Sequence, residues 1–348
     1  MSTLPAHMKA LQLRGLNELV MTELPPPSPK ENEVLIRTTA TTICTSDLHD
    51  IKSNPFAIKF PRVLGHEGAG VVVGVGAAVF DLTEGTRVAA HPVVPCGVCA
   101  ECVRGFGHIC SNMGHLGYDR DGTFAEYFVQ RADRVRALPE SVPSTTGVLL
   151  EPVAVCLQAV ARAGEIKDRS VLIVGDGPFG NIIARLAIRA GAGLVTVSGK
   201  EPFRLGKIPG VTIAHEVPTK SFDIAILAVS APAAVTTCIT ALRPRGRMVV
   251  FSTLTSPVPV DLFAVHLSEL EIVGCCNDEN RLDESLLCLS DPGLALDEII
   301  THQFPFESWQ EAFTLASEGH GRALKVALSF QPSPIRRKLI RDLDDSRI

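Results

Sequence analysis

Six residues in the middle of the chain, Gly175-Asp176-Gly177-Pro178-Phe179-Gly180, restrict the fold more than any other stretch. They follow the apolar run 171–174, of the kind buried on both faces of a parallel sheet, and they precede a helical pattern over 181–190. A G-x-G-x-x-G at a strand-to-helix turn allows a tight turn, a close approach of an anion to the main chain, and close packing of helix on strand. The helix N-terminus adds free N–H groups. Gly175, Gly177 and Gly180 are therefore candidate contacts to the pyrophosphate of a dinucleotide. An ordinary tight βα turn would use the same glycines; the strand before and the helix after are what favour the dinucleotide.

The next strand, 194–197, ends at Ser198-Gly199-Lys200. An NAD site wants a carboxylate there for the ribose 2′-hydroxyl. Gly199 supplies none, while Lys200 and Arg204 supply positive charge. Ser198, Gly199, Lys200 and Arg204 together point to NADP over NAD, with Glu201 partly cancelling the cations and a solvated loop as the plain alternative. Further on, Gly206, Pro209 and Gly210 break any helix early, so the adenosine edge of the sheet is expected to be trimmed to one strand within 211–214. Strand and helix alternate to about residue 290, the pattern of an α/β domain with a parallel sheet.

Upstream of Pro143 the pattern is different. Short Val-rich stretches at 34–37, 70–79, 86–89 and 124–129, punctuated by glycine, predict an all-β, barrel-like body. Residues 8–21 read as strands around a Gly15 turn, and the proline-rich 25–29 as a linker or edge loop. A helix is predicted over 145–163, another over 306–317, and a last strand over 323–328 that returns to the first body. The end, 331–348, reads as a solvated tail or exposed helix.

Two groups of metal-binding residue types stand out. Cys44, His66 and Glu67 offer a thiol, an imidazole and a carboxylate, a donor set suited to zinc with one position left open. Ser46 and His49 lie beside them and can move a proton, although scattered Cys and His also simply fill cores. Cys96, Cys99, Cys102 and Cys110 form C-x2-C-x2-C-x7-C, four thiols within fifteen residues. Four sulfurs close a tetrahedral site and leave no room for substrate, so this is a structural zinc; a disulfide pair or redox C-x-x-C is the rival.

The whole chain has 348 residues, 46% hydrophobic and 20% charged, with a formal charge of −5. That suits about two globular domains and gives no basic surface for nucleic acid or an anionic membrane. No signal-peptide core and no apolar run of bilayer length is present, so a cytoplasmic location is expected. Cysteines in a reducing compartment then argue for metal or packing over disulfides. Cys156, Cys238, Cys275, Cys276 and Cys288 read as packing residues, and His91, His108, His115, His215, His266, His302 and His320 show no partner pattern.

With these motifs in hand, the chain resembles the zinc-containing medium-chain alcohol dehydrogenases over about residues 8–330, closest to the sorbitol and polyol branch. The resemblance implies a GroES-like β-barrel catalytic domain (1–152 and 291–330), a four-cysteine lobe near 91–115, and an inserted Rossmann domain (153–290). It implies that Cys44 and His66 hold a catalytic zinc with Glu67 as a ligand or exchangeable ligand. Glu151 in Leu149-Leu150-Glu151-Pro152 stands where the polyol branch has Glu and the classical enzymes have Cys. By the same resemblance Asp47 orients the ligand histidine, Ser46 takes the substrate proton, and His49 relays it to solvent. The implied activity is hydride transfer between a secondary alcohol or polyol, or the matching carbonyl, and a nicotinamide cofactor, with two zincs per chain in a homodimer or homotetramer. Two rivals are a non-catalytic dinucleotide-binding protein and a zinc-free quinone reductase of the same superfamily.

Overall fold

The apolar run before the glycine turn forms the strand Ser170–Val174, in which Val171, Leu172 and Ile173 have no exposed surface. The computed structural model describes residues 4–318 and 322–330; the expected tail at 331–348 and His320 lie outside the described residues. Six parallel strands are ordered Thr212–Ile213, Leu194–Ser198, Ser170–Val174, Phe222–Leu227, Leu242–Val250, Glu271–Gly274. Strand order reverses beside Ser170–Val174, and the crevice outside the carboxyl ends at such a point is where open α/β sheets take ligands. The far edge is trimmed as Gly206, Pro209 and Gly210 predict: the helix Pro202–Leu205 has four residues, and the two residues of Thr212–Ile213 are exposed.

The helical pattern over 145–163 is two helices, Ser144–Gly147 and Leu150–Arg162. Pro152 falls in the first turn of the second, where an N–H has no intrahelical partner to lose. That helix packs under both parts of the molecule. One continuous core cluster runs from Ala40, Ala69 and Ala89 through Val153 and Leu157 to Ile173, Val197 and Val249. Burying each Val or Ile of this set contributes about 1.5–3 kcal/mol, which fixes the two sheets against each other.

The first body is organised on the strand Glu33–Ile43. It pairs antiparallel with Glu67–Val75 on one edge; on the other it takes Tyr127–Arg131 along its first half and Lys325–Ser329 along its second. Ile300–Pro305 then pairs parallel with Lys325–Ser329, so the chain does return to this body after the six-stranded sheet. A second sheet of Glu18–Leu24, Met8–Gly15 and Arg62–Val63 is stitched on through a bridge between Ala10 and Ala125 and a 2.8 Å bond from the Leu11 N–H to the Phe124 carbonyl. Leu11, Leu13, Leu64, Phe124 and Leu328 fill the space between. The barrel-like body is thus assembled from two sheets. Among the described residues no helix is long and apolar enough to cross a membrane.

Candidate active site

Strand register places the candidate metal ligands. Thr42 lies opposite both Glu67 and Ala327, and Ile43 opposite Val326, so the ends of three strands meet. The first strand runs out into Cys44, the N-cap of the helix Thr45–Ser53; the second begins at Glu67 directly after His66. Ligand atoms of Cys44, His66 and Glu67 lie within 4.8 Å of one another, and all three residues are buried. Asp47, one turn into the helix, ties the pair together: Oδ2 accepts the Cys44 N–H at 2.8 Å, and Oδ1 lies 3.3 Å from His66 Nδ1. This directs the other ring nitrogen at the cluster, the arrangement a ligand histidine needs. Burial opposes a charge on His66, but Asp47 and Cys44 outweigh it and hold its pKa well above the ordinary value. A metal entering here displaces that proton.

Glu67 is gripped from two sides. Lys325 pairs with Oε1 and the Thr42 hydroxyl donates to Oε2. Lys325 is fully buried, 258 positions away in sequence, and its Nζ also sits 5.4 Å from the centre of the Phe179 ring in the glycine turn. Burial works against the ammonium, yet the charges of Cys44 and Glu67 keep its pKa above the usual lysine range. Glu151, in the first turn of Leu150–Arg162, lies outside the group of three ligand atoms but close enough to feel them. Burial, then repulsion from Glu67, pushes its carboxyl up to about 7, and among the described residues its buried Oε2 has no partner. An orphaned carboxylate oxygen beside a thiol and an imidazole fits a missing cation.

The four-cysteine motif closes on itself. The sulfurs of Cys96 and Cys102 are 4.0 Å apart and those of Cys99 and Cys110 are 3.7 Å apart, with all four within 4.8 Å. Zinc–sulfur bonds of about 2.3 Å give tetrahedral edges of about 3.8 Å, so the spacing fits one ion, and it is too long for any disulfide. Main-chain N–H groups of Cys96 and Asn112 donate to the Cys110 sulfur, and that of Cys99 to the Cys96 sulfur, which favours thiolate. The turns that bring them round pass through Gly97 and Gly105 at φ of 78° and 88°.

The glycine turn has the shape its sequence predicts. Gly175 sits at φ 132°, and a Cβ there would meet the Ala228 carbonyl oxygen at 2.5 Å; one on Gly180 would meet the Gly175 carbonyl oxygen at 2.1 Å. A Cβ on Gly177 would enter open space, room that a pyrophosphate at this turn would need. Gly177 caps the helix Pro178–Arg189. At the end of the neighbouring strand, Ser198, Gly199, Lys200 and Arg204 do not frame an open cationic hollow. Asp176 reaches across: its Oδ2 accepts the N–H groups of Lys200 at 2.6 Å and Glu201 at 2.8 Å, and its Oδ1 lies 3.9 Å from Arg204.

Residues 30–140 match the family described as Alcohol dehydrogenase GroES-like domain. The chain is 35% identical over 325 residues to L-threonine 3-dehydrogenase of Pyrococcus abyssi, covering 87% of this chain and 92% of that protein. It belongs to the zinc-containing medium-chain alcohol dehydrogenases. Sorbitol dehydrogenase of Bacillus subtilis is 28% identical over 344 residues, 93% of this chain and 98% of the relative. The crystal structure of an alcohol dehydrogenase (rspB) from Escherichia coli complexed with NADH superposes with a TM-score of 0.88 at 28% identity, covering 94% of this chain and 100% of that one.

In this zinc dehydrogenase the two residues expected to carry a proton lie where the helix opens to solvent: Ser46 is half-buried and His49 exposed, and among the described residues neither side chain is hydrogen-bonded. Three neighbours of the metal cluster had no signal in their spacing. His115 lies 5.6 Å from the His66 ring and stacks at 4.3 Å on Tyr118, which stacks in turn on Phe56. Burial, then His66, pushes the His115 imidazole down to about 3, so it is neutral. Asp50, one turn beyond Asp47, is fully buried, and among the described residues neither carboxylate oxygen is partnered; burial, then Asp47, pushes it up to about 7. Lys325 is the third, and one lysine inside the apolar 323–328 was the available clue. Among the cysteines expected only to pack, Cys156, Cys238 and Cys288 are fully buried, whereas Cys276 is exposed.

Proposed function

We propose that the chain is a dehydrogenase of small secondary alcohols or polyols, with Cys44, His66 and Glu151 as standing ligands of a catalytic zinc, Glu67 as an exchangeable one, and a second zinc in the four-cysteine lobe. The observation that carries this is the buried meeting of Cys44, His66 and Glu67 next to Lys325, whose ammonium also faces the glycine turn. Glu67 is already satisfied by Lys325 and Thr42, whereas among the described residues a buried oxygen of Glu151 has no partner, which supports Glu151 as the standing carboxylate. When bound, zinc supplies a Lewis acid for the substrate oxygen and the nicotinamide accepts or returns hydride. Ser46 takes the proton of the substrate hydroxyl and passes it to His49 at the surface; Asp47 fixes the orientation of His66; Phe56, Tyr118 and His115 wall the approach and exclude water. Relatives named for sorbitol and L-threonine support a compact, hydroxyl-bearing substrate.

Residues 1–152 with 291–330 form the catalytic unit and 153–290 the dinucleotide unit, a division supported by the return of Lys325–Ser329 to the first sheet. Exposed Leu262, Phe263 and Leu267 near the edge strand Glu271–Gly274 support association of identical copies as a dimer or tetramer in the cytoplasm. The cations Lys200 and Arg204 favour NADP; the Asp176 carboxylate set among them favours NAD, and NAD is the reading adopted. The test is nicotinamide absorbance with a panel of polyols, secondary alcohols and ketones, alongside zinc analysis. Two zincs per chain and chelator-sensitive turnover are expected; chelator-resistant turnover, or none with any substrate of the panel, removes the proposal.

A further inference from the structure

We propose that Asp176 selects the cofactor: its carboxylate, delivered from the glycine turn rather than from the end of the second strand, receives the adenosine ribose hydroxyls and bars a 2′-phosphate. The inference rests on the dinucleotide reading above and names the form of the dinucleotide. Parallel pairing of Val174 with Ser198, and a 2.9 Å bond from the Gly175 N–H to the Ser198 carbonyl, bring the two turns side by side. A Cβ on Gly199 would meet Asp176 Oδ2 at 2.4 Å and Asp176 Cβ at 2.5 Å. Gly199 is therefore the room that Asp176 occupies, and the absence of an acid at that position is made good by an acid from the neighbouring turn.

The electrostatics run the same way. Two successive main-chain N–H groups, of Lys200 and Glu201, form the kind of nest that takes a phosphate oxygen, and Asp176 Oδ2 already fills it. Arg204 donates through Nε to the Ala323 carbonyl at 3.0 Å and faces Asp176 with its far nitrogen, so its charge is already matched. Asp176 keeps a small exposed surface, 9%, and among the described residues its Oδ1 accepts no hydrogen bond, which leaves that oxygen for a hydroxyl. A hydroxyl donates to it; a phosphate brings a second anion against a held carboxylate and is repelled.

Isothermal titration of the zinc-loaded full chain with NAD and NADP tests this directly. The unaltered protein is expected to bind NAD at least about tenfold more tightly than NADP. Asp176→Asn keeps an oxygen for the two N–H groups and loses the charge, so NADP affinity is expected to rise about tenfold in a variant that still folds. Tighter NADP binding by the unaltered protein overturns the proposal, as does an Asn variant that folds and keeps the original ratio. If the variant does not fold, the ratio measured on the unaltered protein decides alone. Binding of neither form overturns the dinucleotide reading, and the proposed selection with it.

Discussion

The two cysteine-containing sites are built in opposite ways. Cys96, Cys99, Cys102 and Cys110 come from one short excursion of chain whose turns alone set the sulfur positions, and three of the four are only partly buried. The other site draws Cys44, His66, Glu67, Glu151 and Lys325 from three strands and a helix, all of them buried or nearly so. The first needs little beyond closure of short loops, which costs little entropy. The second depends on strand register, and a slip of one residue in Glu67–Val75 would turn Glu67 to the other face of the sheet. A local site can therefore be lost with little effect on a distant one, whereas the distributed site reports on the whole arrangement.

The largest effect that separates them is on turnover. Cys44→Ser or His66→Ala is expected to lower it at least about a thousandfold, with one zinc per chain remaining by metal analysis; normal rates in either variant would break the contrast. Next comes Lys325→Met, which leaves Glu67 buried without its counter-charge and should cost about 3–5 kcal/mol in urea unfolding. The double variant Glu67→Gln/Lys325→Met should recover part of that, and strictly additive losses would show that the pair does not act as a unit. Cys99→Ser should cost on the order of 3 kcal/mol through the loss of the lobe's ion, while the Cys44 site keeps its zinc; an equally stable variant would show that the lobe holds none.

The smallest effect uses a pair with no metal, as a control. His91 from the first body and Asp278 from the second lie 2.5 Å apart with no exposed side-chain surface, and Arg134 is 2.9 Å from His91 Nδ1. Burial works against the Asp278 charge, but His91 and Arg134 hold its carboxyl down to about 2, while burial lowers the His91 pKa below 6.5. Both shifts mean that the unfolded chain binds more protons, so the stability they contribute is full above about pH 6.5 and is lost as pH falls. The Asp278 part is about 2 kcal/mol, lost between about pH 4 and pH 2. Asp278→Asn should flatten that acid limb in unfolding measured against pH, and chelator should leave it untouched; an unchanged limb would remove the pair from the account.

Spacing along the chain revealed what is close along the chain. The glycine turn with its strand and helix, the four-cysteine lobe, the grouping of Cys44, His66 and Glu67, and the trimmed edge after Arg204 were all visible as short patterns. Residues whose meaning depends on a partner far away were not. Asp176 is an interchangeable letter within G-x-G-x-x-G, and only the parallel register that sets it beside Gly199 gives it a role. Local inspection of Gly199 saw a missing acid, and hence NADP; on the proposal above, the acid is supplied from 23 positions earlier. His115 and Asp50 carry no spacing relation to His66, because one comes from the short strand Gly114–His115 and the other from the next turn of a helix.

The ion pair between Lys325 and Glu67 also bears on how the molecule is made. Glu67 leaves the ribosome first, in a strand that buries it, while its counter-ion follows 258 residues later. At the translation rates of roughly 5–20 residues per second known for protein synthesis, that interval is on the order of ten seconds or more. Throughout it the growing polypeptide has a strong reason not to close around that carboxylate. On the proposed ligand set, a chain not yet extended to Lys325 has no finished pocket in which to hold an ion.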